Sequence, residues 1–178
     1  MLETEDSLLV LVDVQVKLAR VIHERDDVIE NAGKLVRGAL ALGLPIIWTE
    51  QNPGGIGRTV PALAELLPGK PITKLAFSCC GEPPFVEAVR RSGRKQILLA
   101  GIETHICVYQ TAVDLLAAGY EVHVASDAVG SRSPRNKAVG LGKIKDAGAA
   151  ITSVETALFE LLKVAEGEKF KAILKIVK

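Results

Sequence analysis

The chain has 178 residues, of which 48% are apolar, 22 are Lys or Arg and 21 are Asp or Glu. This length and apolar content suit a single domain over residues 1–178 with a substantial core. The balanced charge excludes the basic surface that nucleic acid or an anionic membrane requires, so we expect a small-molecule substrate as the partner, with no nucleic acid and no membrane.

Short apolar runs alternate with helical patterns along the chain. The predicted strands are Leu8–Val12, Pro45–Thr49, Lys70–Phe77, Gln96–Ile102, Glu121–Ser126 and Ala149–Val154. The predicted helices are Asp26–Leu42, Thr59–Leu66, Pro84–Ser92, Thr104–Ala118, Pro134–Ala147, Thr156–Val164 and Glu168–Lys178. This alternation predicts an α/β fold, a doubly wound three-layer sandwich whose six-stranded parallel sheet has the order 3-2-1-4-5-6.

Three reactive side chains fall at the carboxyl ends of these strands. Asp13 follows the first strand, Lys74 lies in the third, and Cys107 follows the fourth in the first turn of a helix. Ligands of doubly wound sheets bind beyond the carboxyl ends, where the strand order reverses. We therefore expect Asp13 to face Cys107, and a buried Asp needs a cation nearby, for which Lys74 is the candidate.

These residue types suit covalent catalysis. A helix start favours an anion, so the Cys107 thiol is predicted to ionise more easily than a free thiol. Asp13 would take the thiol proton while Lys74 holds that carboxylate in place. The backbone N–H groups of Glu103 and Cys107 are the predicted oxyanion hole. Thr104 is the predicted N-cap of the helix.

The same residues also have structural interpretations. Cys107 would be a core residue, Asp13 would cap the helix after the first strand, and Lys74 would be a solvated charge at a strand edge. Cys79 and Cys80 are interpreted as structural, because neighbours in sequence cannot build a tetrahedral metal site alone.

Further polar residues lie near the predicted strand ends. The candidate substrate contacts among them are Glu50, Gln51 and His105. Arg132 and Arg135 either hold an anionic substrate group or form an exposed basic loop. The glycines of Gly54–Gly57 are predicted to form a flexible loop over the pocket, because a dinucleotide site would need its glycines after the first strand.

Five motifs occur in order: Leu11-Val-Asp-Val-Gln15, Trp48-Thr-Glu-Gln-Asn-Pro-Gly-Gly-Ile-Gly57, Lys74-Leu-Ala-Phe-Ser78, Gly101-Ile-Glu-Thr-His-Ile-Cys-Val108 and Ser126-Asp-Ala-Val-Gly-Ser-Arg132. With them the chain resembles the isochorismatase-like cysteine hydrolase superfamily over essentially its full length. The resemblance implies a catalytic triad of Cys107, Asp13 and Lys74, hydrolysis of small acyl compounds through a thioester, and a cis peptide bond just before Glu103.

The chain differs from two branches of that superfamily, and these differences narrow the expected reaction and cofactor. Nicotinamidases carry a metal-binding Asp and two His after the second strand, whereas no histidine lies between His23 and His105 here. We therefore expect the metal-free branch, with no metal and no cofactor. True isochorismatases lack the cysteine that Cys107 supplies, so its presence favours acyl chemistry. Relatives generally form symmetric assemblies, so a homo-oligomer, a dimer or larger, is expected.

The resulting hypothesis is an isochorismatase-like hydrolase that cleaves C–N bonds of a small amide or related acyl compound. The alternatives are a non-catalytic binding or scaffold protein on the same fold and a thiol oxidoreductase that uses Cys79 or Cys80. The acidic start of the chain lacks the features of a signal peptide, and three cysteines cannot all pair. A cytoplasmic location is therefore predicted.

Overall fold

The computed structural model describes residues 1–178 and is organised around a parallel sheet. Its strands are β1 (Ser7–Val12), β2 (Ile46–Gln51), β3 (Ile72–Lys74), β4 (Gln96–Ile102), β5 (Glu121–Gly130) and β6 (Ala150–Thr152). They form one six-stranded sheet in the order β3-β2-β1-β4-β5-β6, and all neighbours are parallel. The predicted fold class and strand order are confirmed.

Helices cover both faces of the sheet. They are α1 (Val16–Ala19), α2 (Arg25–Leu42), α3 (Pro53–Ile56), α4 (Pro61–Ala64), α5 (Pro83–Ser92), α6 (Tyr109–Ala117), α7 (Pro134–Asp146), α8 (Val154–Leu162) and α9 (Gly167–Val177). A 3₁₀ turn spans Cys79–Gly81, and a π-helical turn spans Thr104–Val108 immediately before α6. No helix has the length and apolarity needed to cross a membrane.

The central strands are apolar on both sides because they separate two cores. Leu9 and Leu11 of β1 pack with α2, α8 and the buried Ile173 of α9, which confirms the docked carboxyl-terminal helix. Leu8 and Val10 point the other way, toward α5 and α6. Successive residues of a strand face opposite sides, so a strand buried on both faces is apolar throughout.

Several predicted boundaries were wrong, and the fifth strand, for example, ends at Gly130 and not at Ser126. The third strand is β3 alone, shorter than the predicted Lys70–Phe77, because the chain turns after Lys74 and aims two backbone carbonyls at its side chain. The predicted helix Thr59–Leu66 is only α4. The predicted helix Thr104–Ala118 divides into the π-helical turn and α6. Short α1 and α3 had no clear periodicity in the sequence.

The segment Gly54–Gly57, predicted as a flexible loop, lies largely within the short helix α3. Its position is held from the segment that follows β1, because Lys17 Nζ donates to Gly55 O at 2.9 Å and Gln15 Nε2 donates to Gly57 O at 2.6 Å. Ile56 of α3 does line the pocket beside Cys107, as expected for a segment that lies over it.

β1 and β4 approach each other closely near their carboxyl ends. Gly101 has φ +121°, and a Cβ built on it would lie 2.1 Å from Val12 O. Only glycine tolerates this backbone conformation and this contact. The approach places the residue after β1, Asp13, beside the turn that carries Cys107.

A second glycine sets the distance between α7 and the π-helical turn. Gly140 is buried in α7, and a Cβ there would lie 2.8 Å from both the Cα and the backbone N of His105. These contacts involve backbone atoms, so the turn and the helix would have to separate to admit a side chain. Gly142 of the same helix has nothing within 4 Å of the equivalent position.

We predict that Gly140→Ala lowers the free energy of unfolding by about 1–3 kcal/mol, because it overpacks a backbone contact. The matched control Gly142→Ala should raise it by about 0.4–1 kcal/mol, since alanine restricts the unfolded chain and favours the helix. Urea unfolding followed by circular dichroism measures both. Equal stability of the two variants would contradict the packing described here.

Candidate active site

A buried ion pair lies at the carboxyl end of β1. Lys74 Nζ is 2.7 Å from Asp13 Oδ2, and both side chains are 0% exposed. Asp13 has φ +51°, in the left-handed region that few residues other than glycine occupy but that Asp tolerates. This conformation ends β1, and the structure thus brings together the carboxylate and the ammonium predicted from the sequence.

The Lys74 ammonium is enclosed by oxygen atoms. Its Nζ donates to Gln51 Oε1 at 2.6 Å, Phe77 O at 2.9 Å and Ala76 O at 3.1 Å, in addition to its contact with Asp13. The two carbonyls come from the turn that follows β3. A buried ammonium requires such partners, because transfer from water into the protein costs several kcal/mol.

Thr49 of β2 holds the other side of the carboxylate, a role that sequence reasoning missed. Its hydroxyl donates to Asp13 Oδ1 at 2.8 Å and lies 3.8 Å from Cys79 Sγ. The available signal was a hydroxyl residue in an otherwise apolar predicted strand. Gln15 was also missed: it is buried, accepts from Gln51 N at 2.7 Å and donates to Gln51 O at 2.9 Å.

Cys107 lies in the π-helical turn beside this pair. The Asp13 carboxylate, the Lys74 ammonium and the backbone N–H of Glu103 all act on the pKa of its thiol, so these three groups lie near its sulfur. The residue is only 5% exposed. The peptide bond between Ile102 and Glu103 is cis, as the resemblance implied.

The helix start itself differs from the prediction. Glu103 occupies the N-cap position of the π-helical turn without a side-chain cap, and the Thr104 hydroxyl is buried with no hydrogen-bond partner. The predicted capping role of Thr104 was therefore wrong. The turn is wider than an α-helix, since Val108 N donates to the carbonyl of Glu103, five residues earlier, at 3.2 Å.

The expectation of an easily ionised thiol was also wrong. Burial raises the pKa of Cys107 to about 11, and the Asp13 carboxylate raises it further, while Lys74 and the Glu103 N–H act in the opposite direction. Burial likewise raises the pKa of Asp13 above its usual value, against the lowering effect of Lys74 and Thr49. Desolvation thus outweighs the field of the helix start, and the resting thiol carries its proton at neutral pH.

Two predicted substrate contacts have hydrogen-bond partners within the protein. Glu50 is 2% exposed, and its carboxylate accepts from Thr59 N at 2.8 Å, Thr59 Oγ1 at 3.0 Å and Arg58 at 3.1 Å. It therefore anchors the chain before α4. His105 Nδ1 is 3.0 Å from Ser131 Oγ, and the ring is not part of the pocket beside Cys107.

A small pocket opens beside the sulfur of Cys107. It has a volume of about 110 Å³ and is lined by Leu18, Gln51, Ile56, Phe77, Glu103, Ile106 and Cys107. Gln51, a predicted substrate contact, lines this pocket. Arg132, predicted either to bind an anion or to be exposed, binds Glu103 Oε2 through its backbone N at 3.0 Å and its Nε at 3.2 Å.

The residues present do not fit the metal site of the nicotinamidase branch. No group of three or more His, Cys, Asp or Glu side chains is arranged to hold a metal ion. Glu50, at the end of β2, already accepts three hydrogen bonds from Arg58 and Thr59.

Comparison with known proteins places this site in a family. Residues 7–156 match the isochorismatase domain. The chain is 38% identical over 177 residues to isochorismatase domain-containing protein 2 of Danio rerio, covering 99% of this chain and 89% of that one. It is also 38% identical over 179 residues to the secreted isochorismatase effector Isc1 of Phytophthora sojae, covering 97% of this chain and 84% of that one.

Solved structures with similar coordinates carry different names. MAR1 ribonuclease from Caenorhabditis elegans has a TM-score of 0.93 and 36% identity, with 99% of this chain and 91% of that chain covered. YcaC from Pseudomonas aeruginosa, solved with hexane-2,5-diol and covalent acrylamide, has a TM-score of 0.92 and 28% identity, with 98% and 90% covered. Escherichia coli YcaC is described as an octameric hydrolase of unknown specificity. It has a TM-score of 0.93 and 27% identity, with 98% of this chain and 88% of that chain covered.

The electrostatics of the site predict opposite effects of its two charges on Cys107. Asp13→Asn removes a charge that raises the pKa of the thiol, so iodoacetamide should alkylate Cys107 faster; a pKa lower by about one gives roughly tenfold more thiolate near neutral pH. Lys74→Met removes a charge that lowers this pKa and should slow the reaction. Rates are measured at about pH 8 by peptide mass spectrometry.

Cys80 is the internal control for this experiment. Its pKa is raised to about 11 by burial and by Asp114, and neither Asp13 nor Lys74 contributes to that shift. Its alkylation rate should therefore stay constant in both variants. Shifts of Cys107 reactivity in the same direction for Asp13→Asn and Lys74→Met would contradict the electrostatic description.

Proposed function

This chain belongs to the isochorismatase family, a family of hydrolases, and on that premise we propose that it is a cysteine hydrolase acting on a C–N bond of a small amide or related acyl compound. Cys107, Asp13 and Lys74 form the proposed triad. The proposal depends on one observation: the Asp13 carboxylate, 2.7 Å from the Lys74 ammonium, lies close enough to Cys107 to act on its thiol, and Cys107 lines a pocket.

In the proposed mechanism Asp13 carries one proton in each half of the reaction. The sulfur of Cys107 attacks the carbonyl carbon while Asp13 accepts the thiol proton, so no free thiolate is required in the resting site. The raised pKa of Asp13 suits this exchange, because a base whose pKa lies closer to neutrality also returns its proton readily. Lys74 keeps the carboxylate oriented.

The tetrahedral intermediate then collapses to a thioester. Asp13 donates its proton to the leaving nitrogen, the C–N bond breaks, and an amine or ammonia departs. Water next attacks the thioester and loses a proton to Asp13; the C–S bond then breaks, Asp13 returns the proton to the sulfur of Cys107, and the acid is released. The backbone N–H groups of Glu103 and Cys107 are the proposed donors to the oxyanion; donors of this kind contribute about 3 kcal/mol each in other enzymes.

The alternative is a protein that binds small molecules on this fold without turning them over. The specific observation in its favour is the thiol pKa of about 11, which leaves Cys107 unreactive unless Asp13 accepts its proton. The name of the C. elegans neighbour points to RNA instead. A formal charge of +1 and a small pocket favour a small molecule over RNA here.

A screen of small amides, carbamates and esters, with an RNA oligonucleotide as a further arm, tests the proposal. We expect hydrolysis of a neutral amide and an acyl mass on Cys107. Cys107→Ala should abolish both, whereas Cys80→Ala should retain them. Asp13→Asn should lower turnover by about 10²–10⁴-fold, the usual contribution of a general base.

The effect of Asp13→Asn on turnover and on alkylation distinguishes the two functions. A general base predicts lost turnover together with faster alkylation of Cys107 alone, whereas misfolding would also expose the buried Cys79 and speed its alkylation. Absence of turnover and of any acyl adduct across the screen would favour the binding protein. Cleavage of the oligonucleotide that survives Cys107→Ala would exclude the thiol mechanism.

We also propose that the functional unit is a single-domain chain over residues 1–178 that forms a homo-oligomer, a dimer or larger, in the cytoplasm. Leu75 and Phe77, which flank the site, are 73% and 56% exposed. Such apolar exposure beside a pocket is typical of interfaces, and one neighbour is described as octameric. Light scattering should give a multiple of the chain mass, which a purely monomeric protein would contradict.

A further inference from the structure

The pocket beside Cys107 is small, and its walls are mainly apolar. Its volume of about 110 Å³ is well below the roughly 300–1,000 Å³ of sites for drug-sized ligands. Leu18, Ile56, Phe77 and Ile106 supply aliphatic or aromatic surface. Gln51 and Glu103 are the polar members of the lining. The class of substrate therefore depends on whether Gln51 or Glu103 can offer it a free charge or a free hydrogen-bonding group.

Gln51 is occupied by its own protein contacts. Its Oε1 accepts from Lys74 Nζ at 2.6 Å, and its Nε2 donates to Leu75 O at 2.8 Å. The side-chain amide is thus fixed at both ends between β3 and the turn that follows it. Turning it toward a ligand would leave the buried Lys74 without one of its acceptors, which is costly inside a protein.

Two pairs of charged groups near the pocket are matched within the protein, while the exposed Lys17, next to the lining residue Leu18, donates to Gly55 O. Lys74 is fully enclosed against Asp13, so its positive charge is matched within the protein. Glu103 is one of the residues that line the pocket, and its carboxylate is bound by Arg132, whose side chain is 57% exposed. The lining is almost entirely apolar surface and contains no Lys or Arg. An anionic ligand would therefore lose its hydration there without meeting a cation in the pocket wall.

We infer that the pocket selects a short, uncharged acyl group, so that the substrate is a small aliphatic amide and not an organic anion. This inference rests on the proposed function and names the substrate class for it. The apolar walls take up the acyl chain, and the carbonyl carbon lies at the sulfur of Cys107. Dicarboxylates, aromatic carboxylates and phosphodiesters are excluded by charge, by size or by both.

Two alkylating reagents of nearly equal size test this inference without any turnover. Iodoacetamide is neutral and iodoacetate is an anion, and both label free thiols. In the folded protein the ratio of their rates at Cys107 should exceed the ratio in the urea-unfolded chain at least tenfold. An unchanged ratio, or failure of both reagents to label Cys107, would overturn the inference.

A variant that adds a positive charge to the pocket wall tests whether charge causes the difference between the two alkylation rates. Ile56 lies in α3 on the pocket wall and is partly exposed, so a longer side chain has room to reach solvent. Ile56→Lys should bring the rate ratio back toward that of the unfolded chain, because an ammonium now faces the anion. The matched control Ile56→Met should keep the original ratio. Equal effects of both variants would refute an electrostatic cause.

Arg132 has an exposed guanidinium that could attract an anionic ligand, and this alternative predicts a different result. If it recruits an anionic group, iodoacetate should label Cys107 at least as fast as iodoacetamide, and Arg132→Ala should abolish that advantage. This result would contradict our inference. We expect Arg132→Ala to leave the rate ratio unchanged within about twofold, since its charge is matched by Glu103.

Substrate screening separates this inference from the proposed function. Amides of increasing chain length, from acetamide to hexanamide, are compared with anionic amides such as succinamate. Hydrolysis of neutral short amides supports both proposals. Hydrolysis restricted to anionic or long amides keeps the hydrolase and overturns the pocket inference. A large rate ratio in the alkylation experiment without any hydrolysis keeps the pocket inference and rejects the hydrolase.

Discussion

The buried contact between Asp13 and Lys74 is the constraint on which the rest of the site depends. Removing two opposite charges from water costs several kcal/mol for each ion, and the loss of one partner from such a pair typically costs about 3–5 kcal/mol. The protein meets this cost with a dense set of hydrogen bonds around both groups. Thr49 holds the carboxylate, while Gln51 and two backbone carbonyls hold the ammonium. The short length of β3 follows, because the chain turns after Lys74 to supply those carbonyls.

The same constraint determines the protonation state of the Cys107 thiol. A carboxylate next to a buried sulfur opposes ionisation, and burial opposes it more strongly, so the pKa of Cys107 reaches about 11. A thiol that keeps its proton at rest is also less open to oxidation. In the proposed mechanism, activation of this thiol depends on geometry. The close approach of β1 and β4 at Gly101 and the π-helical turn together bring the sulfur near Asp13.

Charge pairing inside the protein leaves little charge for the ligand. Lys74 is matched by Asp13 and Glu103 by Arg132, and the Gln51 amide is fixed between two elements. The selectivity that we propose for the pocket therefore rests on its size and apolar walls. Under this proposal, substrate specificity depends on Leu18, Ile56 and Ile106, which lie on short segments around the sheet.

The sequence by itself determined the architecture and the three reactive residues. Apolar runs that alternate with helical patterns predict a parallel sheet, and the carboxyl ends of its strands brought Asp13, Lys74 and Cys107 to one edge. Local patterns carry this information because burial on both faces requires an unbroken apolar strand. They do not carry the pairing of distant polar groups, so Thr49 and Gln15 were missed, and Glu50 and His105 were predicted to contact substrate. Only the tertiary structure decided those partners, and with them the high pKa of Cys107, because desolvation and side-chain contacts depend on which segments pack together around each group.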